Sequence, residues 1–127
     1  MASDRATLLQ PVPVKTERVD MPEFGEGQYV VIHGCTAKEW NQYQNALMKS
    51  DWSGINAAKA RTQRERLVVQ CARDDSGQRI FTNEDIDTIG EWPAELLNRL
   101  YDVANRLNGR TDNDEDAAKN SAGTDGE

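Results

Sequence analysis

The apolar positions of this chain follow two periods. From Gln28 to Gly34, reading QYVVIHG, β-branched and aromatic residues crowd together as in a short strand. Ahead of it Val14, Thr16 and Val19 are interleaved with charges, the pattern of an exposed edge strand. Between the two lies the turn cluster Pro22-Glu23-Phe24-Gly25-Glu26-Gly27. This spacing predicts an antiparallel hairpin over about 14–33. Two strands are marginal by themselves, so the hairpin must lean on a helix.

Beyond His33 the period becomes helical. Thr36-x-x-Glu39 has the form of a capping box, in which hydroxyl and carboxylate each satisfy an orphan amide at a helix start. The predicted helix runs to about Met48 and buries Trp40, Tyr43 and Leu47; Asp51-Trp52-Ser53-Gly54 breaks it. A second helix is predicted from Ile55 to Ala72, with Ala57, Ala60, Leu67, Val68 and Cys71 near one face. On the opposite face Lys59, Arg66 and Arg73 recur every seven residues and so form a cationic stripe. Thr82 caps a short helix over 83–89, whose Glu84, Asp85 and Asp87 suit the positive end of the helix dipole. Pro93 opens the last helix, with Leu96, Leu97, Leu100, Val103, Ala104 and Leu107 on its apolar face and Gly109 as its stop.

The expected fold is mainly α with a small N-terminal β-hairpin (α+β): one domain of three to four helices over 11–109. A disordered lead over 1–10 and a disordered acidic tail over 110–127 flank it, since neither has periodicity or apolar content. The tail carries two cations against six acids, so it holds −4 of the net charge of −7 and leaves the other 109 residues at −3. A balanced to acidic surface excludes non-specific nucleic-acid binding, which needs cations facing phosphates. No apolar run approaches the ~20 residues of a membrane span. The start MASDRATLLQPVP lacks the apolar core of a signal peptide, so a soluble cytoplasmic protein is expected. Cys35 and Cys71 stand 36 positions apart without a CxxC, and two buried thiols are expected there.

Reactive chemistry is sparse. Placing Gly77 at the sixth position of a calcium loop puts Ala72 first and Asn83 twelfth, neither of which supplies the needed oxygen, so the Asp74-Asp75-Ser76-Gly77 turn is not an EF-hand. His33 is the single histidine, and its neighbour Cys35 lies in no nucleophile signature. Gly25 and Gly27 precede a strand, whereas phosphate loops follow one. No catalytic, cofactor-binding or metal-binding residue is assigned.

In combination these motifs resemble the tail assembly chaperones of long-tailed (siphovirus-type) bacteriophages. The resemblance rests on the charged strand after a proline-rich lead, the helix start Thr36-Ala37-Lys38-Glu39-Trp40, the run LVVQCARDDSGQRIFTNEDI and the final DVANRLNG, spanning about residues 8–109. It implies a small, mostly helical, non-catalytic protein of the infected cell's cytoplasm, absent from the mature virion. Such proteins coat the tape measure protein and keep it soluble until tail tube protein polymerises around it. In this family a programmed frameshift often yields a longer form of the same protein, a further partner beside the tube protein and other copies of the chain. Shielding an amphipathic helix calls for an apolar groove, and Trp52, Ile55 and Trp92 are its candidate residues, although all three would serve equally as cover for the core. Lys59, Arg66 and Arg73 form either a solvated face or a surface for acidic partners. Two other classes stay open: a structural tail or connector subunit of the virion, and an acidic regulatory protein that mimics DNA charge.

Overall fold

The computed structural model describes residues 1–49, 51 and 53–110. Trp52 and the segment from residue 111 onward, to which the acidic tail was assigned, lie outside the described residues. Ahead of the sheet, Arg5–Leu8 forms a single exposed helical turn (α1), capped by the Asp4 carboxylate accepting from the Thr7 amide. Sequence periodicity gives no sign of this turn.

The expected hairpin is present. Strand β1 (Thr16–Asp20) pairs antiparallel with β2 (Tyr29–His33), from Thr16 opposite His33 to Asp20 opposite Tyr29. Alternation sends Val19, Val30 and Ile32 into the core while Tyr29, Val31 and His33 are only partly covered. A third strand, β3 (Ala72–Arg73), pairs with the other edge of β2 and sets buried Ala72 opposite buried Ile32. The sheet order is β1-β2-β3.

The capping box forms as expected: Thr36 Oγ1 accepts from the Glu39 amide at 3.2 Å, and Glu39 Oε1 accepts from the Thr36 amide at 2.9 Å. It opens α2, Ala37–Asn45, which ends before Met48. The continuous helix expected over 55–72 is instead two helices and a strand: α3 (Ala57–Ala60), α4 (Gln63–Cys71) and then β3. Thr62 leaves helical geometry at φ −106° and ψ 24°, and Ala72 turns extended at φ −76° and ψ 125°. The periodic signal failed here for a physical reason. Residues 67–72 are all buried, because α4 packs against α2, α6 and the helix that follows β3, and a helix covered on all sides has no polar face to announce its ends.

After the Asp74–Gly77 turn, Thr82 and Asp85 form a second capping box over a 3₁₀ turn, Asn83–Asp85, that runs into α5 (Ile86–Gly90). Pro93 caps α6 (Ala94–Leu107), which buries Leu96, Leu97, Leu100 and Ala104 against α4 and the sheet. Gly109 follows at φ 81°, the left-handed stop that its sequence position announces. Among the described residues there are thus six α-helical segments, two of them single four-residue turns, and two 3₁₀ turns (Pro22–Phe24 and Asn83–Asp85) beside a three-stranded sheet.

Two ion pairs tie the solvent side of α6 to the hairpin. Arg99 grips both oxygens of Glu23 at 2.9 and 2.6 Å, and this hydrogen bonding holds the Glu23 carboxyl down at about 2. Seven residues on, Arg106 grips both oxygens of Glu17 at 2.8 and 2.7 Å. Just beyond the second pair the chain passes very close to itself: Gly34 donates to the Lys15 carbonyl at 2.8 Å, and a Cβ on Gly34 would stand 3.0 Å from the Leu107 carbonyl oxygen.

Candidate functional site

Of the six residues singled out for partner binding, the structure scatters five and does not describe Trp52. Ile55 is 61% exposed. It bridges to Met48 across the loop between α2 and α3 and, with Leu47, Met48, Gln44 and Asn45, walls an apolar groove of about 430 Å³. An isoleucine left this open has no core to cover.

Trp92 is placed differently. It packs edge-on against Phe24 (centroids 5.5 Å apart) and Phe81 (5.8 Å), so one side closes the core between hairpin and α5. Its other side lines a groove of about 560 Å³ between α4 and α6, together with Arg61, Arg64, Leu97, Asn98 and Tyr101. Trp92 thus covers the core on one side and borders a groove on the other.

The cationic stripe does not exist as a stripe. Lys59 sits on α3, Arg66 on α4 and Arg73 on β3, and the break at Thr62 destroys the heptad register that would align them. Lys59 is exposed. Arg66 is half-buried and donates from Nε to Thr62 Oγ1 at 2.9 Å. Arg73 turns inward: Nη2 donates to Glu39 Oε2 at 2.9 Å and to the Gln70 carbonyl at 3.2 Å, and Nη1 reaches the Gly77 carbonyl at 3.4 Å. Its work is internal, joining the α2 start, the α4 end and the acidic turn. Burial raises the Glu39 carboxyl, but the hydrogen bonds from Thr36 and the Arg73 charge outweigh it and hold the group below its ordinary value.

Sequence reasoning missed Arg61, Arg64 and Tyr101. Arg64 Nη1 donates to Asn98 Oδ1 at 2.7 Å, and its guanidinium carbon lies 5.6 Å from the Tyr101 ring centroid. This pairing of α4 with α6 gives the larger groove an arginine rim over an aromatic and aliphatic floor, the composition favoured in protein interfaces. The only signal in the sequence was the arginine density of Arg61-Thr62-Gln63-Arg64-Glu65-Arg66, which names no partner residue across the groove.

The acidic turn is closed by its own first carboxylate and tied to β2 by the Tyr29 hydroxyl, which donates to Asp75 Oδ2 at 2.5 Å. Asp74 Oδ1 accepts from the Ser76 amide, the Ser76 hydroxyl and the Gln78 amide at 2.9, 2.6 and 3.1 Å, so its oxygen closes the turn. Among the described residues no group of three or more His, Cys, Asp or Glu side chains is placed to hold a metal ion. Burial first, and the Arg73 charge second, push the His33 imidazole below its ordinary value. Also among the described residues, no helix is long and apolar enough to cross a membrane.

What the geometry defines is a small α+β domain whose surface includes an apolar groove beside Ile55 and an arginine-rimmed groove beside Trp92. The same fold occurs in the solved structure of the bacteriophage HK97 tail assembly chaperone, which matches with a TM-score of 0.53 at 20% identity over 74% of this chain and 85% of that one. No family model and no curated protein matches the sequence.

Proposed function

We propose that this chain is a tail assembly chaperone of a long-tailed bacteriophage. In this reading it binds the tape measure protein in the host cytoplasm, keeps it soluble, and is left behind when tail tube protein polymerises around it. The observation that carries the proposal is the fold shared with the HK97 tail assembly chaperone over three-quarters of the chain. The two grooves support it. An amphipathic tape measure helix needs an apolar seat for one face, which the Ile55 groove offers, and polar groups for its margin, which Arg61 and Arg64 offer. The protein acts without catalysis in this scheme, which needs shielding alone.

Co-expression with the tape measure protein of the same phage tests the reading. The tape measure protein should move from the insoluble to the soluble fraction and co-purify with the chain, and purified virions should lack the chain. Recovery of the chain in stoichiometric amounts from mature virions would instead make it a structural tail or connector subunit.

A further inference from the structure

The fold brings together two cysteines that the sequence holds 36 positions apart. Cys35 lies in the short link between β2 and α2, and Cys71 is the last residue of α4. Their Sγ atoms stand 3.6 Å apart, and both thiols are free. We propose that Cys35 and Cys71 are a dithiol poised to close into an intramolecular disulfide that staples the start of α2 to the end of α4.

Three features of the site carry this. The separation is a sulfur–sulfur contact, so the two thiols have to approach by roughly 1.5 Å to reach the ~2.05 Å of a covalent bond. Asn108, at the end of α6, fixes both partners: its Oδ1 accepts from the Cys35 amide at 2.6 Å, and its Nδ2 faces Cys71 Sγ at 3.8 Å while donating to the Ala104 carbonyl at 2.8 Å. The two thiols also have unequal surroundings. Cys35 is half-buried, whereas Cys71 is buried. A hydrogen bond from the Cys71 thiol lowers Cys35 from its ordinary value, and that same bond, with burial, raises Cys71. Cys35, the more exposed of the two, is therefore the attacking thiolate and Cys71 the resolving thiol.

The oxidant is a low-molecular-weight disulfide such as oxidised glutathione. Cys35 thiolate attacks one of its sulfurs, forming a mixed disulfide and releasing one glutathione thiolate. Cys71 then gives up its proton to solvent and attacks Cys35 Sγ, expelling the second glutathione thiolate. Two protein thiols are oxidised and one small disulfide is reduced to two thiols. The loop so closed contains α2, α3 and nearly all of α4, including the Ile55 groove. A cross-link across a loop of that length restricts the unfolded chain and raises thermal stability.

The full chain should be incubated with stepped ratios of oxidised to reduced glutathione, then followed by intact-mass spectrometry, peptide mapping and thermal melting. The expected product has lost two hydrogens, yields a Cys35–Cys71 cross-linked peptide, remains monomeric on a non-reducing gel, and melts at a higher temperature than the reduced chain. Persistence of both free thiols under fully oxidised glutathione, a stable glutathione adduct on the parent chain, or disulfide-linked dimers would overturn the proposal. The order of attack has its own check in variants: Cys71→Ser should trap glutathione on Cys35, and Cys35→Ser should leave Cys71 unmodified in the folded chain. The reverse labelling would overturn the assigned roles, and the mass loss in the parent chain needs neither variant to fold.

Discussion

The Arg73 guanidinium meets the Glu39 carboxylate at 2.9 Å, joining β3 to the first turn of α2 across a partly buried contact in which the side chains keep 15% and 29% of their exposure. Arg73 also accounts for one carbonyl of α4 and one of the acidic turn, so its removal strands acceptors in three segments. Arg73→Ala should cost about 1.5–3 kcal/mol, the range for hydrogen bonds to charged groups. Chemical denaturation of Arg73→Ala, Glu39→Gln and the double variant forms a cycle; coupling indistinguishable from zero would make the contact incidental.

The same carboxylate sets an acid limit. Glu39 is held below its ordinary value of 4.5 in the folded chain, so the unfolded chain binds its proton more readily. The stabilisation is complete above the unfolded value and is lost as pH falls through the folded one. Glu39→Gln should therefore flatten the fall in stability below pH 4.5 relative to the parent, read as melting temperature against pH. A variant whose profile parallels the parent through that window would place the acid sensitivity elsewhere.

Gly34 permits the contact between sheet and α6. Its missing Cβ would meet the Leu107 carbonyl at 3.0 Å, and backbone on both sides limits what can yield. Gly34→Ala should destabilise by about 1–3 kcal/mol, the cost of overpacking. An alanine variant with an unchanged melting temperature would mean that the end of α6 gives way freely.

Leu100 is fully buried at the centre of α6. Leu100→Ala should cost about 2–5 kcal/mol through lost burial and the cavity left behind. Equilibrium unfolding with urea measures this directly, and a loss under 1 kcal/mol would be evidence that the site collapses around the smaller side chain.

Ile55 is the contrasting case. Its side chain is open to solvent, so Ile55→Asp should change stability by no more than about 0.5 kcal/mol. If the apolar groove receives a tape measure helix, the same change should abolish co-purification. Intact co-purification with intact stability would shift attention to Arg64 and Tyr101.

The sequence made the ends of elements legible wherever one side chain decides the matter. Thr36 with Glu39, Thr82 and Gly109 each mark a boundary that the structure keeps, because a cap is a local hydrogen bond or a local backbone angle. The face of α6 was equally plain, since one side meets the core and the other meets water. The stretch between Ile55 and Arg73 was not legible. Its last third is buried on every side, and the pairing of Ala72 with Ile32 depends on where β2 lies in space. The misjudged role of Arg73 follows directly, because an arginine assigned to a helix surface sits in a strand beside Glu39. Trp92 was ambiguous for a sound reason, having one side against Phe24 and Phe81 and another toward the groove.

The ion pairs of α6 have a mechanical consequence. Arg99 and Arg106 stand two helical turns apart on one flank; their partners are Glu23, in the turn that follows the first strand, and Glu17, near that strand's start. A single strut would leave the hairpin free to pivot about it; two struts spaced along both bodies resist torque as well as separation. Salt weakens exposed charge pairs first, so rising ionic strength should loosen this brace and leave the buried contact of the hairpin with α6 to hold the joint.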